Sequence, residues 1–313
     1  MTKALLLFSD GLDSILAGKL LKEQGIYVTA LKYITPFFGW ELKKEPEKFL
    51  KKIEDYEFDE GKIIDITEKY LKLLKKPKYG YGSHANPCID CKILMINEAC
   101  ELLKEEKADF IATGEVIGQR PMSQTKNALV LIKQKSKAED LLLRPLSAKL
   151  LFPTKPERDG LVDRDKLLAI SGRSRKEQLM LAEKYGIKDI PSPAGGCLLA
   201  DPVIGDRILK VLKGPFDFNP ITAELITFGR HFIRDDTWIM IGRDYEENKK
   251  IYEIAYSNYD IYCLSEPSPV GIVLKGNKDI LKDLLLKYSK KAKLAIKEGE
   301  NVDLNIIKNI DEV

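Results

Sequence analysis

The sequence predicts an α/β fold, an open parallel sheet with helices on both faces, followed by a smaller α+β domain. Three observations support this prediction. Short apolar runs alternate with segments of helical spacing from the first residues onward, which is typical of parallel sheets. Polar, glycine-bearing turns follow the first and fourth of these runs. Beyond about residue 203 short strands and helices mix instead, so we expect domains at 1–200 and 201–313.

The elements of the first domain follow from the spacing of apolar residues. Short, mostly apolar runs predict strands at 4–8, 27–33, 62–66, 110–113 and 141–146. Between them, apolar residues at helical spacing predict helices at 15–21, 45–56, 67–75, 91–106 and 174–185. Ligands bind beyond the carboxyl ends of the strands in such sheets, so the turns after the first and fourth strands are expected to face one cleft.

The second domain has a different pattern. Two helical stretches ending near Phe228 open it. Residues 230–234 and 237–241 then suggest a hairpin that turns at Asp235 and Asp236. A further helix opens within 242–249, and short strands and helices continue to the last residue, which together indicate a small α+β domain.

The composition is that of a soluble globular protein. The chain has 313 residues, enough for two domains with separate cores, and is 44% hydrophobic and 32% charged. No window approaches the roughly 18 consecutive apolar residues of a membrane span, and no signal-peptide pattern precedes the first strand. We therefore expect a cytoplasmic protein with no membrane partner. The net charge of +3 is nearly balanced and does not by itself indicate nucleic acid.

The turn after the first strand, Ser9–Ser14, combines the features of an anion site. A polar turn between a strand and a helix directs backbone N–H groups and the positive end of the helix at one point. Gly11 lets a phosphate approach the backbone, Ser9 and Ser14 add hydroxyl donors, and Asp13 can hold a magnesium ion. The alternative is an ordinary helix start, since Ser and Asp are favoured there as caps.

This hexapeptide resembles the pyrophosphate loop, Ser-Gly-Gly-x-Asp-Ser, of the ATP pyrophosphatases, which cleave ATP between its α and β phosphates. The resemblance implies an adenine nucleotide alpha hydrolase-like (PP-loop) domain that binds ATP, with Mg²⁺ on Asp13. Asp10 departs from the pattern because it stands where a glycine is usual. The ATP-binding residues that the resemblance implies in this loop are Phe8, Ser9, Asp10, Gly11, Leu12, Asp13 and Ser14.

Three of the five cysteines lie in loop sequences. Cys88 and Cys91 form a C-x-x-C, and Cys197 follows two glycines far downstream. Soft thiolates bind zinc, iron–sulfur clusters or sulfane sulfur, or form a redox pair, and the spacing alone leaves these open. Three thiolates would leave one position free for sulfide. The alternative for Cys197 is a small packing residue in a glycine-rich turn.

The other candidate ligands have simpler interpretations. Cys100 and Cys263 lie in apolar patterns and are expected to pack in the interior. His84 is the one histidine near the C-x-x-C. We favour a structural or RNA-contacting role over metal binding for His231, which lies on a predicted strand.

Three further segments resemble tRNA thiolation enzymes. Residues 113–119, continuing to 123–125, resemble the second nucleotide-site motif of the tRNA 4-thiouridine synthases, which implies ATP contacts from Thr113, Gly114 and Gln119. Residues 86–92 are similar to the Asn-Pro-x-x-x-Cys segment of the tRNA thiolation enzymes, whose 2-thiouridylases carry aspartate at the first cysteine position. A cysteine there matches the iron–sulfur-dependent branch, and residues 195–199 resemble the segment with its last cysteine.

This resemblance covers about residues 1–200 and implies a set of catalytic residues and cofactors. The catalytic residues are Asp13, Cys88, Cys91 and Cys197. The three cysteines would hold a [4Fe–4S] cluster, and the remaining cofactors are ATP and Mg²⁺. The partners are a tRNA and a sulfur donor, either sulfide or a persulfide carrier. A homodimer is left open.

RNA binding is expected mainly from the second domain. Because the loop starts at residue 9, we expect neither the N-terminal RNA-binding extension nor the C-terminal rhodanese-like domain of well-known 4-thiouridine synthases. Residues 229–232 and 241–248 resemble the small RNA-binding domain of ribosome quality-control factors; a solvated basic surface is the alternative. RNA contacts are implied for Lys92, Arg120, Arg230 and Arg243, and Arg144 and Lys149 are further candidates for phosphate or tRNA contacts.

The function that these features predict is ATP-dependent thiolation of a tRNA uridine. The base would be adenylated, and sulfur from a cluster-bound sulfide or a cysteine persulfide would then displace AMP. One alternative is an adenylating enzyme of the same superfamily with an amide-forming or small-molecule substrate, although amide formation needs no thiols. The other is a non-catalytic nucleotide- and RNA-binding protein, which only Asp10 favours.

Overall fold

A computed structural model describes residues 1–191, 196–309 and 311 of the chain. The chain divides into two compact units. The first unit comprises residues 1–82 and 87–197, and the second comprises 83–86 and 198–313. Part of the predicted glycine-rich loop, residues 192–195, lies outside the described residues.

The first unit is built on a five-stranded parallel sheet, which confirms the predicted fold class. The strand order is β3-β2-β1-β4-β5, with β1 at the centre. Leu7 at the end of β1 pairs with Leu31 on one side and with Thr113 on the other. The strands are β1 (Lys3–Leu7), β2 (Tyr27–Ile34), β3 (Glu60–Asp65), β4 (Phe110–Thr113) and β5 (Leu142–Leu143).

Helices cover the first unit's sheet, and its core is made by apolar residues of β1, β2, β4 and the first helix. The central strands are buried along nearly their whole length, because a parallel sheet is covered on both faces. The helices are α1 (Leu12–Lys22), α2 (Glu47–Asp55), α3 (Thr67–Lys75), α4 (Cys88–Glu105), α5 (Lys126–Lys135), α6 (Lys155–Arg158) and α7 (Lys176–Lys184).

Some elements of the first unit differ from the prediction. Helix α4 begins at Cys88 rather than near Cys91, since Pro87 accepts a hydrogen bond from the Cys91 N–H and starts the helical turn. Helix α5 was not predicted; the Thr125 side chain caps it by accepting from the Ala128 N–H at 3.1 Å. The predicted strand at 141–146 is only two residues long, because Pro145 lacks the N–H that a ladder requires.

The second unit contains a five-stranded antiparallel sheet of order β10-β8-β9-β7-β6. The predicted hairpin is present, with Asp235 in the left-handed region at φ 47°. The strands are β6 (Arg230–Arg234), β7 (Thr237–Ile241), β8 (Ile261–Leu264), β9 (Gly271–Lys275) and β10 (Leu304–Ile306). The helices are α8 (Pro202–Lys213), α9 (Pro220–Leu225), α10 (Tyr245–Ala255), α11 (Leu281–Tyr288) and α12 (Lys290–Lys297).

In the part of the chain that is described, none of these helices has the length and apolar character needed to cross a lipid bilayer.

Candidate nucleotide and thiol site

The turn between β1 and α1 is held by its own serines. Ser14 Oγ donates to the Gly11 carbonyl at 2.7 Å, and it lies 3.3 Å from both the Ser9 N–H and Ser9 Oγ. The Ser14 and Ile15 N–H groups donate to the Gly11 carbonyl, so α1 starts directly after the turn. The side chains of Phe8 and Leu12 are buried in the core, so only their backbone groups are available to a ligand at the turn.

Asp10 occupies the position where the resembled loop has glycine, and its backbone explains the departure. Its φ is 67°, in the left-handed region, which glycine adopts freely and aspartate tolerates better than most residues. The carboxylate accepts from Lys52 Nζ at 2.6 Å and lies 3.7 Å from Lys32 Nζ. The negative charge at this position is therefore compensated by two lysines.

Gly114 brings the turn after β4 against the turn after β1. A Cβ on Gly114 would lie 2.5 Å from both the Asp13 carbonyl carbon and the Ser14 nitrogen. Those contacts are with backbone, which cannot move aside as a side chain could. The structure thus places the two predicted nucleotide segments in direct contact, and only glycine permits the approach.

We expect Gly114→Ala to weaken ATP binding about tenfold to a hundredfold, because the added methyl group must displace the backbone at the start of α1. Titration calorimetry with MgATP measures the effect. Gly196→Ala is the matched control, since a Cβ there would meet no atom of the described residues within 4 Å. Equal affinity of Gly114→Ala and wild type would contradict the assignment of this contact to the nucleotide site.

Glu115, the residue after Gly114, holds the same turn in place through buried ion pairs and hydrogen bonds. Its Oε2 accepts from Arg144 Nε at 3.0 Å and from the Thr113 hydroxyl at 3.1 Å, and Lys92 Nζ lies 3.8 Å from Oε1. Burial opposes ionisation of this carboxyl, but the charges of Lys92 and Arg144 outweigh it and hold its pKa below the usual range. Arg144 is itself only 3% exposed, so it is a buried structural partner rather than a surface contact for phosphate or tRNA.

Asp13 lies in a partly buried polar pocket of the first unit. Burial raises its pKa, while the side-chain amides of Gln119 and Gln178 and the charges of Arg175 and Arg120 act in the opposite direction. Its Oδ1 is buried without a hydrogen-bond partner within the described residues. The predicted residue Gln119 is thus next to Asp13, whereas Gln178 and Arg175 were not predicted.

The three cysteines of the predicted site are brought into one neighbourhood around Tyr70. Cys88 and Cys91 are one turn apart at the start of α4, and the charge states of both Cys88 and Cys197 influence Cys91. Tyr70 is buried on α3, and its hydroxyl interacts with Cys91. Burial raises the pKa of Cys91 to about 12 and also raises the pKa of Cys88, although Lys92 and Arg120 oppose the latter shift.

The thiols and the nucleotide turn are electrostatically connected through Arg120. Burial raises the pKa of Asp13 and of Cys88, and the Arg120 charge opposes both rises, so the guanidinium lies near both groups. Over residues 1–191, 196–309 and 311, however, no group of three or more His, Cys, Asp or Glu side chains is arranged to hold a metal ion. The sulfurs share a neighbourhood but do not form a preassembled ligand set.

The remaining predicted contacts are half-buried or exposed. Lys92 is 30% exposed at the side chain and faces Glu115. Arg120 is exposed in the first unit. In the second unit, Arg230 donates to the Gly242 carbonyl at 2.9 Å and lies 4.5 Å from the Tyr288 ring centre, and Arg243 donates to Glu247 at 2.8 Å.

The two histidines belong to the second unit. His84 Nδ1 lies 3.0 Å from Asp206 Oδ1. His231 is half-buried on β6, where its Nδ1 accepts from the Trp238 indole N–H at 2.9 Å and its Nε2 lies 2.9 Å from the Phe228 carbonyl. Burial, reinforced by Arg207, lowers the pKa of His231 to about 3. Of the two roles considered for His231, the structure supports the structural one.

We expect this histidine to make the second unit acid-sensitive. The folded state keeps His231 neutral down to about pH 3, whereas the unfolded chain gains a proton near pH 6.5, so stability falls as pH drops below 6.5. The slope should reach about 1.4 kcal/mol per pH unit. Urea unfolding of Trp40→Phe, read by Trp238 fluorescence, measures it. His231→Gln in that background should flatten the slope between pH 6.5 and 4.5, and identical slopes would refute the assignment.

Comparison with known proteins supports the geometry of the first unit. Residues 1–149 match the family model described as Thiamine biosynthesis protein (ThiI). Over these residues the chain is similar to the ThiI family. This confirms the resemblance to PP-loop tRNA thiolation enzymes and, together with the parallel sheet, the predicted PP-loop-type fold.

Two curated relatives match part of the chain. A probable tRNA sulfurtransferase of Thermococcus kodakarensis is 29% identical over 148 residues, 46% of this chain and 36% of that protein. The tRNA-specific 2-thiouridylase MnmA of Petrotoga mobilis is 28% identical over 130 residues, 37% of this chain and 35% of that protein. The chain thus spans about a third of the length of these relatives.

Two solved structures resemble the chain more distantly. A 4-thiouridine synthetase–RNA complex with bound ATP has a TM-score of 0.45 and 22% identity, covering 64% of this chain and 45% of that one. The U34-tRNA thiolase NcsA from Methanococcus maripaludis, with its [4Fe–4S] cluster, has a TM-score of 0.35 and 20% identity, covering 66% and 64% respectively.

Proposed function

We propose that this protein catalyses the ATP-dependent thiolation of a uridine in tRNA. The observation that carries the proposal is that one guanidinium, Arg120, acts on both the Asp13 carboxylate and the Cys88 thiol. This supports a nucleotide site and a group of thiols on one side of the first unit. The match of residues 1–149 to the ThiI family and the tRNA sulfurtransferase relative support the choice of substrate.

The first step is adenylation of the base. The backbone of the Ser9–Ser14 turn and the positive end of α1 would bind the phosphates of ATP, and the unpartnered Asp13 Oδ1 would face Mg²⁺. A uracil carbonyl oxygen attacks the α-phosphorus, the bond from that phosphorus to the bridging oxygen breaks, and pyrophosphate leaves. Positioning by Gly114 and charge neutralisation by Mg²⁺ and the loop would supply most of the acceleration.

The second step transfers sulfur. A sulfur nucleophile adds to the adenylated ring carbon, the carbon–oxygen bond breaks, and AMP leaves with the former carbonyl oxygen. The described structure offers Cys88, Cys91 and Cys197 near this chemistry. Sulfide donated by a partner would provide the sulfur directly. A persulfide on one of these cysteines would instead give a base–S–S–Cys disulfide; a second of the three thiolates would break that S–S bond, release the thiolated base and leave a Cys–Cys disulfide for an external thiol to reduce.

The donor chemistry of the three cysteines fits an iron–sulfur cluster. All three are soft ligands, and they influence one another's charge states around Tyr70. Cys88, Cys91 and Cys197 would hold the cluster, which when bound would offer one iron to sulfide. Because burial keeps Cys88 and Cys91 protonated at neutral pH, each must lose its proton on becoming a ligand.

The second unit is proposed to bind the tRNA through a polar, aromatic cleft whose basic residues outnumber Asp244 and Glu266. The cleft has a volume of about 660 Å³, and its lining includes Arg243, Tyr245, Tyr288, Lys290 and Lys291. Tyr245 is 54% exposed, which leaves a ring face available for stacking. Cations beside exposed rings suit phosphates and unstacked bases, which is the usual form of single-stranded RNA recognition.

Asp10 no longer favours a non-catalytic loop, because its strained backbone and two lysine partners explain its presence.

Three assays with bulk tRNA and ATP test the proposed function. Mercury-gel detection of thiolated tRNA with added sulfide should be positive, and tRNA-dependent AMP release should accompany it. Iron and acid-labile sulfide should be present after anaerobic purification. AMP release without thiolation would favour the adenylating alternative, and no AMP release would favour the non-catalytic one.

A further inference from the structure

Gln178 is an unexplained polar residue in the interior of the first unit. It lies on α7, which packs on α1, and it is completely buried. Within the described residues, neither its amide nitrogen nor its amide oxygen has a hydrogen-bond partner. It lies outside the ThiI-family match at residues 1–149.

The unpartnered atoms around Gln178 cluster at one carboxylate. Asp13 Oδ1 and Gln119 Oε1 are likewise buried without hydrogen-bond partners in the described chain. The amides of Gln119 and Gln178 both act on the Asp13 carboxylate, together with the charges of Arg175 and Arg120. The pocket beside α1 therefore contains a carboxylate, two amides and two nearby guanidinium groups.

Burying these polar atoms is unfavourable unless a bound group supplies their missing hydrogen bonds. Buried amides without partners destabilise a fold, and proteins rarely retain them except where a ligand, ion or water supplies the missing bonds. Carboxylate and amide oxygens accept hydrogen bonds from the water shell that Mg²⁺ usually keeps. The guanidinium groups suit the phosphates that accompany the ion. The carboxylate, the amides and the guanidinium groups together match MgATP better than they match Mg²⁺ alone or ATP alone.

We propose that Gln178 is a positioning residue that orients the Asp13 carboxylate toward Mg²⁺ in the bound MgATP complex. In the MgATP complex its amide N–H donates to the Asp13 carboxylate from the α7 side, as that of Gln119 does from the turn after β4. The nucleotide site thus includes a helix beyond residue 149. This inference rests on the nucleotide-binding part of the proposed function and goes beyond it in assigning a residue to the ion.

The test compares Gln178→Met, which has nearly the same shape without the polar atoms, with Gln134→Met on the exposed face of α5. Gln178→Met should bind MgATP about 10–100-fold more weakly by titration calorimetry, and Mn²⁺ bound with ATP should show an altered electron paramagnetic resonance spectrum. Without ligand, its melting temperature should equal or exceed that of wild type, because an unpartnered buried amide is removed. Gln134→Met should match wild type in all three measurements.

The outcomes separate the two proposals. Wild-type affinity for MgATP and an unchanged Mn²⁺ spectrum in Gln178→Met would overturn the positioning role and leave the proposed function intact. A lower melting temperature in the absence of ligand, with wild-type affinity, would show a purely structural glutamine and also overturn it. A wild-type protein that does not bind MgATP would instead refute the proposed function itself, and the inference with it.

Discussion

Cys197→Ala is expected to abolish sulfur transfer to tRNA while tRNA-dependent AMP release continues at the wild-type rate. Cys197 influences the charge state of Cys91 and shares its neighbourhood around Tyr70, whereas the groups that we propose to contact ATP are provided by other segments. Loss of one of three sulfurs should therefore remove the sulfur chemistry and spare adenylation. We expect thiolation to fall by about a thousandfold or more, as when a nucleophile is removed from an enzyme that needs it.

Cys100→Ala provides the matched control. Cys100 is a half-buried cysteine on α4, and burial raises its pKa to about 11, so it resembles the other thiols in environment. It lies outside the three-cysteine group, and its variant should retain thiolation within about twofold, as for surface-like changes. The iron and sulfide content should fall in Cys197→Ala and not in Cys100→Ala. Thiolation by Cys197→Ala at the wild-type rate would eliminate the three-thiol model.

Most of the first unit's fold could be predicted because its signals are local. Strand Phe110–Thr113 and helix Thr67–Lys75 have the bounds that apolar spacing predicts. Helix α5 was missed because only three of its ten residues are buried and its start depends on the Thr125 cap. The run at 141–146 was predicted as a strand six residues long because apolar composition does not report pairing, and only Leu142 and Leu143 have a partner in β4.

The candidate site likewise has parts that the sequence predicted and parts that it did not. The turn at 9–14 and the turn at Gly114 are continuous segments, so their composition predicted them. Gln178 and Tyr70 come from helices that packing brings to the site, and no motif contains them. One signal for Gln178 was present, because it lies four residues before the buried Ala182 on α7 and thus on the inward face. A glutamine on an otherwise buried face of a helix predicts a polar partner.

Glu115→Gln is expected to destabilise the first unit by about 3–5 kcal/mol at pH 7, because it leaves Arg144 charged and buried without its counter-ion. Glu115 is 1% exposed and Arg144 is 3% exposed, so water cannot replace the lost charge. Because Glu115 holds the turn at Gly114 in place, MgATP affinity should also fall when Glu115 is replaced. Urea denaturation followed by circular dichroism measures the free energy of unfolding.

The pH dependence of the stability difference between Glu115→Gln and wild type tests whether the charge of the Glu115 carboxylate causes it. The pKa of Glu115 is lower in the folded protein than its usual value of 4.5, so its contribution to stability is complete above that pH and is lost as pH falls through the folded pKa. Glu115→Gln cannot titrate, and the stability difference from wild type should therefore shrink as pH drops below 4.5. Glu45→Gln breaks the surface pair with Lys48 and should leave stability nearly unchanged at any pH, because water solvates both exposed charges. A Glu115→Gln difference that stays constant with pH would mean that shape, rather than charge, makes Glu115 important to the turn.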